Sequence, residues 1–361
     1  MKKVLLAIPQ LTGGGAERVV SVWANELDEK GFDVHILVFS PSQDEYYVRP
    51  GVKVKYLCPS VQEYLKLNYF GRISAIRKYL KTVNVDYVIS FLPAMQVWMM
   101  LASIGLGCKR IETIRVNPWR ISVTDKLQTL MWKMCYHTGY KIILQATDQQ
   151  PFFTGRDQKK CVLIPNPISE VYIENYREAL AEQPASFIAA GRIDKQKNYP
   201  LMIKAFARVC EKHPELTLRI FGKGDDAYVA KIQACIDELG MQNNITLMGR
   251  SPHMEEEYKK SQVFLMTSDY EGLPNALMEG MASQLICIST DCKTGPKDLI
   301  DHGENGFLVP VDNEDALVET METVLRMSTD ERIAMAKAAR EKVLRHCSKE
   351  NSLSVLCGLL K

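Results

Sequence analysis

The stretch Ser268-Asp-Tyr-Glu271-Gly272-Leu273-Pro274-Asn275-Ala-Leu-Met-Glu279 follows the hydrophobic run Val263 to Thr267 and turns into a helical pattern. It reads as a strand, a loop and the start of a helix, with one carboxylate in the loop and a second about two turns along. Gly272 lets the backbone approach a ligand closely. Pro274 suits the first helical turn, and the amides there lie at the positive end of the helix dipole. A diphosphate is stabilised at such a place, with Leu273 and Asn275 beside it. Carboxylates only accept hydrogen bonds, so Glu271 and Glu279 can hold hydroxylated rings on either side, a hexose at one end and a ribose at the other. By itself the pair also fits an ordinary surface loop, so its surroundings decide.

Those surroundings are a regular alternation of strand and helix patterns. Strand-like runs are Val4–Ile8, Val34–Phe39, Val52–Leu57, Tyr87–Leu92, Arg110–Arg115, Ile142–Ala146 and Val162–Pro165. A second series comprises Phe187–Ala190, Leu216–Phe221, Ile245–Met248, Val263–Thr267, Leu285–Ser289 and Phe307–Val311. Each series predicts a doubly wound parallel α/β sheet. The expected organisation is a first domain over 1–166, a polar linker over 167–184, a second domain over 185–345 and a C-terminal helix over 346–361 that crosses back to the first domain.

The chain has 361 residues, 46% hydrophobic and 24% charged, enough for two ordinary domains with large cores. Its ten cysteines form no CxxC pair, and the apolar run near Met1 is too short for a signal peptide, which reads as a reduced, cytoplasmic protein. Phe91 to Leu106 is the most apolar segment, shorter than the roughly 20 residues of a membrane span, and reads as a buried helix. Residues 1–165 carry 22 Lys and Arg against 13 Asp and Glu, leaving 23 against 30 of the total 45 and 43 for residues 166–361. The basic half implies an anionic partner: phospholipid headgroups, a lipid diphosphate or nucleic acid.

In doubly wound sheets ligands sit beyond the carboxyl ends of the strands. Gly13-Gly14-Gly15 follows the first strand and opens a helix, bringing bare amides to a phosphate or a sugar, without the spacing of a dinucleotide fingerprint or a P-loop. Gly191-Arg192-Ile-Asp-Lys195-Gln-Lys197-Asn198 follows the first strand of the second series. There Arg192 and Lys197 can clamp two phosphates and neutralise a departing nucleotide diphosphate. Gly249-Arg250 ends a third strand and can receive a base.

Together these loops resemble family 4 of the retaining glycosyltransferases, which have the GT-B fold. The resemblance spans nearly the whole chain and is carried by Glu271-x7-Glu279, by Gly191-Arg192 to Lys197-Asn198 and by the glycine loop before Glu17. Asp291-Cys-Lys-Thr-Gly295-Pro296 and Gly303-Glu-Asn-Gly306 also match its C-terminal pattern. Thr113-Ile-Arg115-Val-Asn117-Pro118 is similar in part to an acceptor loop of bacterial transferases, including N-acetylgalactosamine-adding ones, that extend lipid-linked glycans. Ile114 and Val116 depart from that loop's pattern.

The resemblance implies two doubly wound Rossmann-like domains facing each other across a cleft. It implies transfer from a UDP-sugar with retained anomeric configuration and neither metal nor cofactor. Glu279 would bind ribose, Glu271 the sugar, and Arg192 with Lys197 the diphosphate. Gly14, Gly15, Gly191, Arg250, Gly272, Leu273, Pro274 and Asn275 would complete the donor site, with Arg115 and Asn117 on the acceptor. The segment Tyr64 to Lys81, with Arg72, Arg77, Lys78 and Lys81, alternates apolar residues and cations at helical spacing. It can lie on an anionic membrane or hold a lipid diphosphate, or it packs on its own sheet. The expectation is a peripheral enzyme on the inner face of the plasma membrane, with a lipid-linked glycan as acceptor and no nucleic acid partner. A GT-B sugar-nucleotide epimerase and a non-catalytic nucleotide-binding assembly protein are the other classes. The first needs acid and base residues that are not evident, and the second would be expected to lack members of the clamp.

Overall fold

The computed structural model describes residues 1–120, 126–177 and 186–361. It divides into one unit of Met1–Pro167 with Lys349–Lys361 and another of Ile168–Ser348.

The first unit begins with β1 (Lys3–Ala7), α1 (Gly15–Glu29), β2 (Asp33–Val38) and β3 (Lys53–Tyr56). There follow α2 (Val61–Lys66), α3 (Tyr69–Val83), β4 (Tyr87–Ser90), α4 (Pro93–Ala102) and β5 (Lys109–Thr113). It continues through α5 (Lys126–Thr138), β6 (Lys141–Leu144), α6 (Gly155–Gln158) and β7 (Cys161–Leu163). All seven strands are parallel, in the order β3-β2-β1-β4-β5-β6-β7. Runs such as Val4-Leu-Leu-Ala and Val34-His-Ile-Leu-Val are buried because helices cover both faces of the sheet. One face holds Trp23, Leu27 and Ile36, and the other Ile76, Leu80, Met95 and Met99.

The second unit opens with α7 (Glu170–Glu174), β8 (Ser186–Ala190), α8 (Tyr199–Cys210), β9 (Thr217–Phe221) and α9 (Asp226–Glu238). Next come β10 (Ile245–Gly249), α10 (Met254–Lys259), β11 (Val263–Met266), α11 (Asn275–Ala282) and β12 (Ile286–Thr290). Then α12 (Pro296–Leu299), β13 (Phe307–Val309), α13 (Glu314–Arg326) and α14 (Thr329–His346) complete it. Its six strands are parallel, in the order β10-β9-β8-β11-β12-β13. In each sheet the strand order reverses once, between β1 and β4 and between β8 and β11, which places a ligand crevice at the loops after those strands.

The start of the expected linker is not a linker. Ile168 and Tyr172 are buried with Phe264, Leu277 and Val343, and the Ile168 amide donates to the Cys347 carbonyl at 2.9 Å. The Arg340 guanidinium donates to the carbonyls of Tyr172 (3.3 Å) and Ile173 (2.6 Å) and to that of Ala282, so one side chain closes the ends of α7 and α11 together. The rest of that linker, 178–184, lies outside the described residues.

Helix α15 (Lys349–Leu359) groups with the first unit. Trp23 Nε1 donates to Ser352 Oγ at 3.1 Å, the Tyr87 hydroxyl donates to the Lys361 carbonyl at 2.8 Å, and Lys349 pairs with Glu26 at 2.8 Å. Leu356 and Leu360 are buried against the α1 face of the sheet. No helix of the described residues is long and apolar enough to cross a membrane. Because Leu356 fills a closed core, Leu356→Ala should destabilise the protein by about 2 to 5 kcal/mol. This would be read as a lower urea midpoint; an unchanged midpoint would remove α15 from the core.

Candidate active site

The loops after β8 and β11 flank the reversal point of the second sheet and are sewn together. Thr267 Oγ1 donates to the carbonyls of Lys197 (2.9 Å) and Asn198 (3.0 Å). The Asp269 amide donates to the Gln196 carbonyl at 2.8 Å, and Gln196 Nε2 returns a bond to the Tyr270 carbonyl at 2.8 Å. Asn198, with φ of 46°, donates through Nδ2 to Asp269 Oδ1 at 3.0 Å. These bonds bring Lys197 Nζ to 2.6 Å from Glu271 Oε1, the two side chains only 13% and 9% exposed. A charge so far removed from water needs a partner, and each supplies the other's.

A third loop, after β12, holds the backbone of Glu271. The Glu271 amide donates to the Lys293 carbonyl at 3.1 Å, and the Thr294 amide donates to the Glu271 carbonyl at 3.3 Å. Thr294 Oγ1 donates to the carbonyls of Glu271 (2.9 Å) and Gly272 (3.0 Å). Gly295 is obligatory there: its φ is +97°, and a Cβ would stand 2.3 Å from the Gly272 carbonyl oxygen. Cys292, also in this loop, is inert, because burial, reinforced by the Glu271 charge, pushes its thiol up to about 12.

Helix α11 begins at Asn275, so Pro274 caps it from the extended region rather than sitting within the first turn. Glu279 follows in the helix, buried, and the Tyr258 hydroxyl donates to its Oε2 at 3.2 Å. Tyr258 is itself buried on α10 and packs edge-on against Tyr172, 5.8 Å between centroids. The carboxylate is thus oriented from behind.

Arg192 shares the loop of Lys197 but is 74% exposed, 3.4 Å from Asp194 and 3.4 Å from Gln196. Gly191 precedes it, pressed by the strand exit of β9: a Cβ on Gly222 would lie 1.8 Å from the Gly191 carbonyl oxygen. Arg250 is exposed after the edge strand β10, with β9 between that strand and β8.

In the first unit α1 starts at Gly15, with Gly14 extended before it. The Glu17 carboxylate folds over Gly14, leaving 2.1 Å to a hypothetical Cβ. Arg115 and Asn117, expected on an acceptor, are instead buried. The Arg115 guanidinium lies over the rings of Trp23 (4.7 Å) and Phe91 (5.0 Å) and donates to Asn166 Oδ1 at 2.7 Å. Desolvation there pulls its pKa down to about 9. Asn117 Oδ1 accepts from the Trp119 amide at 3.0 Å, shaping its own turn. Arg72 and Arg77 also turn inward. Arg72 stacks on Tyr64 at 4.1 Å and donates to its carbonyl at 3.1 Å. Arg77 donates to the carbonyls of Ala102 (2.9 Å) and Ile104 (2.6 Å), closing the end of α4. Lys78 remains exposed. Among the described residues no group of three or more His, Cys, Asp or Glu side chains is placed to hold a metal ion.

Sequence reading did not assign roles to Gln196, Thr267, Asp269, Thr294 or Tyr258, which position the charged residues without carrying charge opposite a ligand themselves, Asp269 apart. Gly222-Lys-Gly224, two glycines directly after a strand, was a readable signal.

Two family models divide the chain along these lines. Residues 13–147 match the model described as Glycosyltransferase Family 4, and residues 173–342 match Glycosyl transferases group 1. The chain is a glycosyltransferase with these two domains. A Campylobacter jejuni relative, a GalNAc-alpha-(1->4)-GalNAc-alpha-(1->3)-diNAcBac-PP-undecaprenol alpha-1,4-N-acetyl-D-galactosaminyltransferase, is 29% identical over 90% of this chain and 89% of its own. A second from the same organism, an N-acetylgalactosamine-N,N'-diacetylbacillosaminyl-diphospho-undecaprenol 4-alpha-N-acetylgalactosaminyltransferase, is 27% identical over 90% of each chain. Among solved structures, Anabaena HepE in complex with UDP and glucose superposes with a TM-score of 0.81 at 16% identity, covering 100% of this chain and 99% of that one. The fold is GT-B.

Gly295→Ala should displace the Glu271 turn and lower sugar transfer at least about tenfold, or 1.4 kcal/mol in the barrier. Circular dichroism should show the fold retained. Wild-type turnover in that variant would mean that the third loop does not position Glu271.

Proposed function

We propose that this glycosyltransferase moves a hexose or N-acetylhexosamine, N-acetylgalactosamine being the leading candidate, from a UDP-sugar to a lipid-linked glycan, with retention at the anomeric carbon. The observation that carries the reading is the Lys197–Glu271 pair at the reversal point of the second sheet, with Glu279 tethered two turns further on. The relatives' lipid-linked acceptors and the UDP held by HepE support the choice of partners.

A UDP diphosphate entering these loops offers Lys197 a second anionic partner. Lys197 then turns from carboxylate to phosphate, and Glu271 is left to accept hydrogen bonds from sugar hydroxyls. Glu279, fixed by Tyr258, accepts from the ribose. In the transfer step the acceptor hydroxyl oxygen bonds to the anomeric carbon on the face from which the phosphate leaves. The bond from that carbon to the phosphate oxygen breaks, and the hydroxyl proton passes to the departing phosphate. Charge growing on the diphosphate is stabilised by Lys197, Arg192 and the amides opening α11, each preorganised donor contributing on the order of 3 to 4 kcal/mol. Glu271 positions the sugar and forms no covalent intermediate. The enzyme works as a peripheral protein at the cytoplasmic face of a membrane, where such acceptors are embedded.

The test is UDP release from UDP-sugars with and without a lipid-linked acceptor. Arg192→Ala and Lys197→Ala should each lower turnover at least about tenfold; wild-type kinetics in both would take them out of the site. Glu279→Ala should weaken UDP binding by calorimetry, and equal affinity would sink the ribose assignment.

A further inference from the structure

A hollow lies between α5 and the segment 152–157, built entirely from the first unit and sharing no residue with the candidate active site. Its volume is about 510 Å³, inside the roughly 300 to 1,000 Å³ of small-molecule sites. Tyr136, Phe152 and Phe153 wall it, and these rings are held from behind. Phe153 packs edge-on against Tyr136 at 5.3 Å and against Phe152 at 5.2 Å, while the Tyr136 hydroxyl donates to the buried Gln96 Oε1 at 3.1 Å. Lys160 Nζ donates to the carbonyls of Tyr136 (3.1 Å) and His137 (2.6 Å) and to Asp157 Oδ1 at 2.9 Å, so the end of α5 is fastened to the chain that leads into β7. Walls fixed in this way need little ordering when a ligand enters.

We infer that this hollow binds a small amphiphilic anion, a short hydrocarbon body that carries one phosphate or carboxylate. The aromatic walls take the body, burying its apolar surface. Charge at the mouth selects the head. Asp157 is the one carboxylate lining the hollow, and it is already shared by Lys160 and, at 3.2 Å, by His137 Nδ1. That bond leaves the other ring nitrogen of His137 available, and an anion beside it favours the protonated, donating imidazole. Lys133 and Thr154 are exposed on the lining with no partner among the described residues. An ammonium can only donate and a hydroxyl can donate, so the groups still unspent at the mouth call for an acceptor-only head. A neutral polyol would want acceptors in return, and the single carboxylate is already taken twice. A volume of this size is filled by one ring or a short chain, which points to a free small molecule rather than a lipid.

The experiment is calorimetric titration of the full chain with hexyl phosphate and with hexanoate, against inorganic phosphate as the head alone and hexanol as the body alone. At least one amphiphile should bind, the tighter of the two naming the head, and each half alone should be weaker by at least about tenfold. Lys133→Gln should weaken the amphiphile at least about tenfold and leave hexanol unchanged, while Lys133→Arg, which keeps the charge, should restore most of the affinity. Thr154→Trp, filling the hollow from its edge, should abolish binding of amphiphile and hexanol alike. Melting temperatures should be unchanged in all three variants, because both positions are exposed. Affinity should level off from hexyl to decyl phosphate once the hollow is full. No binding of either amphiphile, inorganic phosphate or hexanol binding as tightly as the amphiphile, or affinity indifferent to Lys133→Gln or Thr154→Trp would each overturn the inference. A steady rise in affinity to decyl phosphate would overturn the assignment to a free small molecule. None of these readouts depends on sugar transfer, so the proposed reaction and this site stand or fall separately.

Discussion

The 2.6 Å contact between Lys197 and Glu271 governs the second unit. Both groups are largely withdrawn from water, and separating such a pair by removing one member costs about 3 to 5 kcal/mol because the survivor is left uncompensated. The contact exists only if two loops 74 residues apart in the chain meet to within a fraction of an ångström. The hydroxyl of Thr267, the amide of Gln196 and the side chain of Asn198 fasten one loop to the other, while Thr294 and Gly295 fix the far side of Glu271. Neutral groups dominate this surrounding layer, which holds geometry without adding competing charge beside Lys197 and Glu271.

The two sheets share one winding scheme and diverge in what their cations do. In the second unit Lys197 and Arg192 belong to loops at the reversal point. In the first, Arg72, Arg77 and Arg115 satisfy carbonyls, an amide oxygen and aromatic faces inside the unit. A guanidinium combines a flat hydrophobic face with several donors, so it can serve as a structural fastener where an ammonium would be poorly solvated. That difference explains why a helix rich in arginine need not be a charged surface, and why lysines and apolar side chains are left to define the exposed face.

The strands were legible because buried parallel strands are short continuous apolar runs; Val263–Met266 and Ile286–Thr290 are recognisable without any partner in view. The placement of Glu271 in a loop and Glu279 in the helix after it was legible for a related reason, since that relation is local. What escaped is non-local. Nothing near Tyr258 announces that its hydroxyl supports a carboxylate on the next helix but for the fold, and Arg340 closing α7 and α11 depends on three segments far apart in the chain. The burial of Arg115 and Asn117 was not legible, because a family-like loop shows which residues are present and not which way they face. The head of the expected linker failed for the same reason: its polar composition hid Ile168 and Tyr172, which fill the second core.

The placement of Lys349–Lys361 with the first unit also has a temporal side. A ribosome delivers Met1–Pro167 early, but the helix that covers Trp23 and contributes Leu356 and Leu360 follows only after all of Ile168–Ser348 has been made. During that interval the α1 face of the first sheet is an open apolar seat, while the second unit has every strand and helix of its own core at hand. Synthesis therefore lets the second unit complete its own core before the half that comes first in the chain is sealed, and the open seat is the surface most prone to misassembly in that interval.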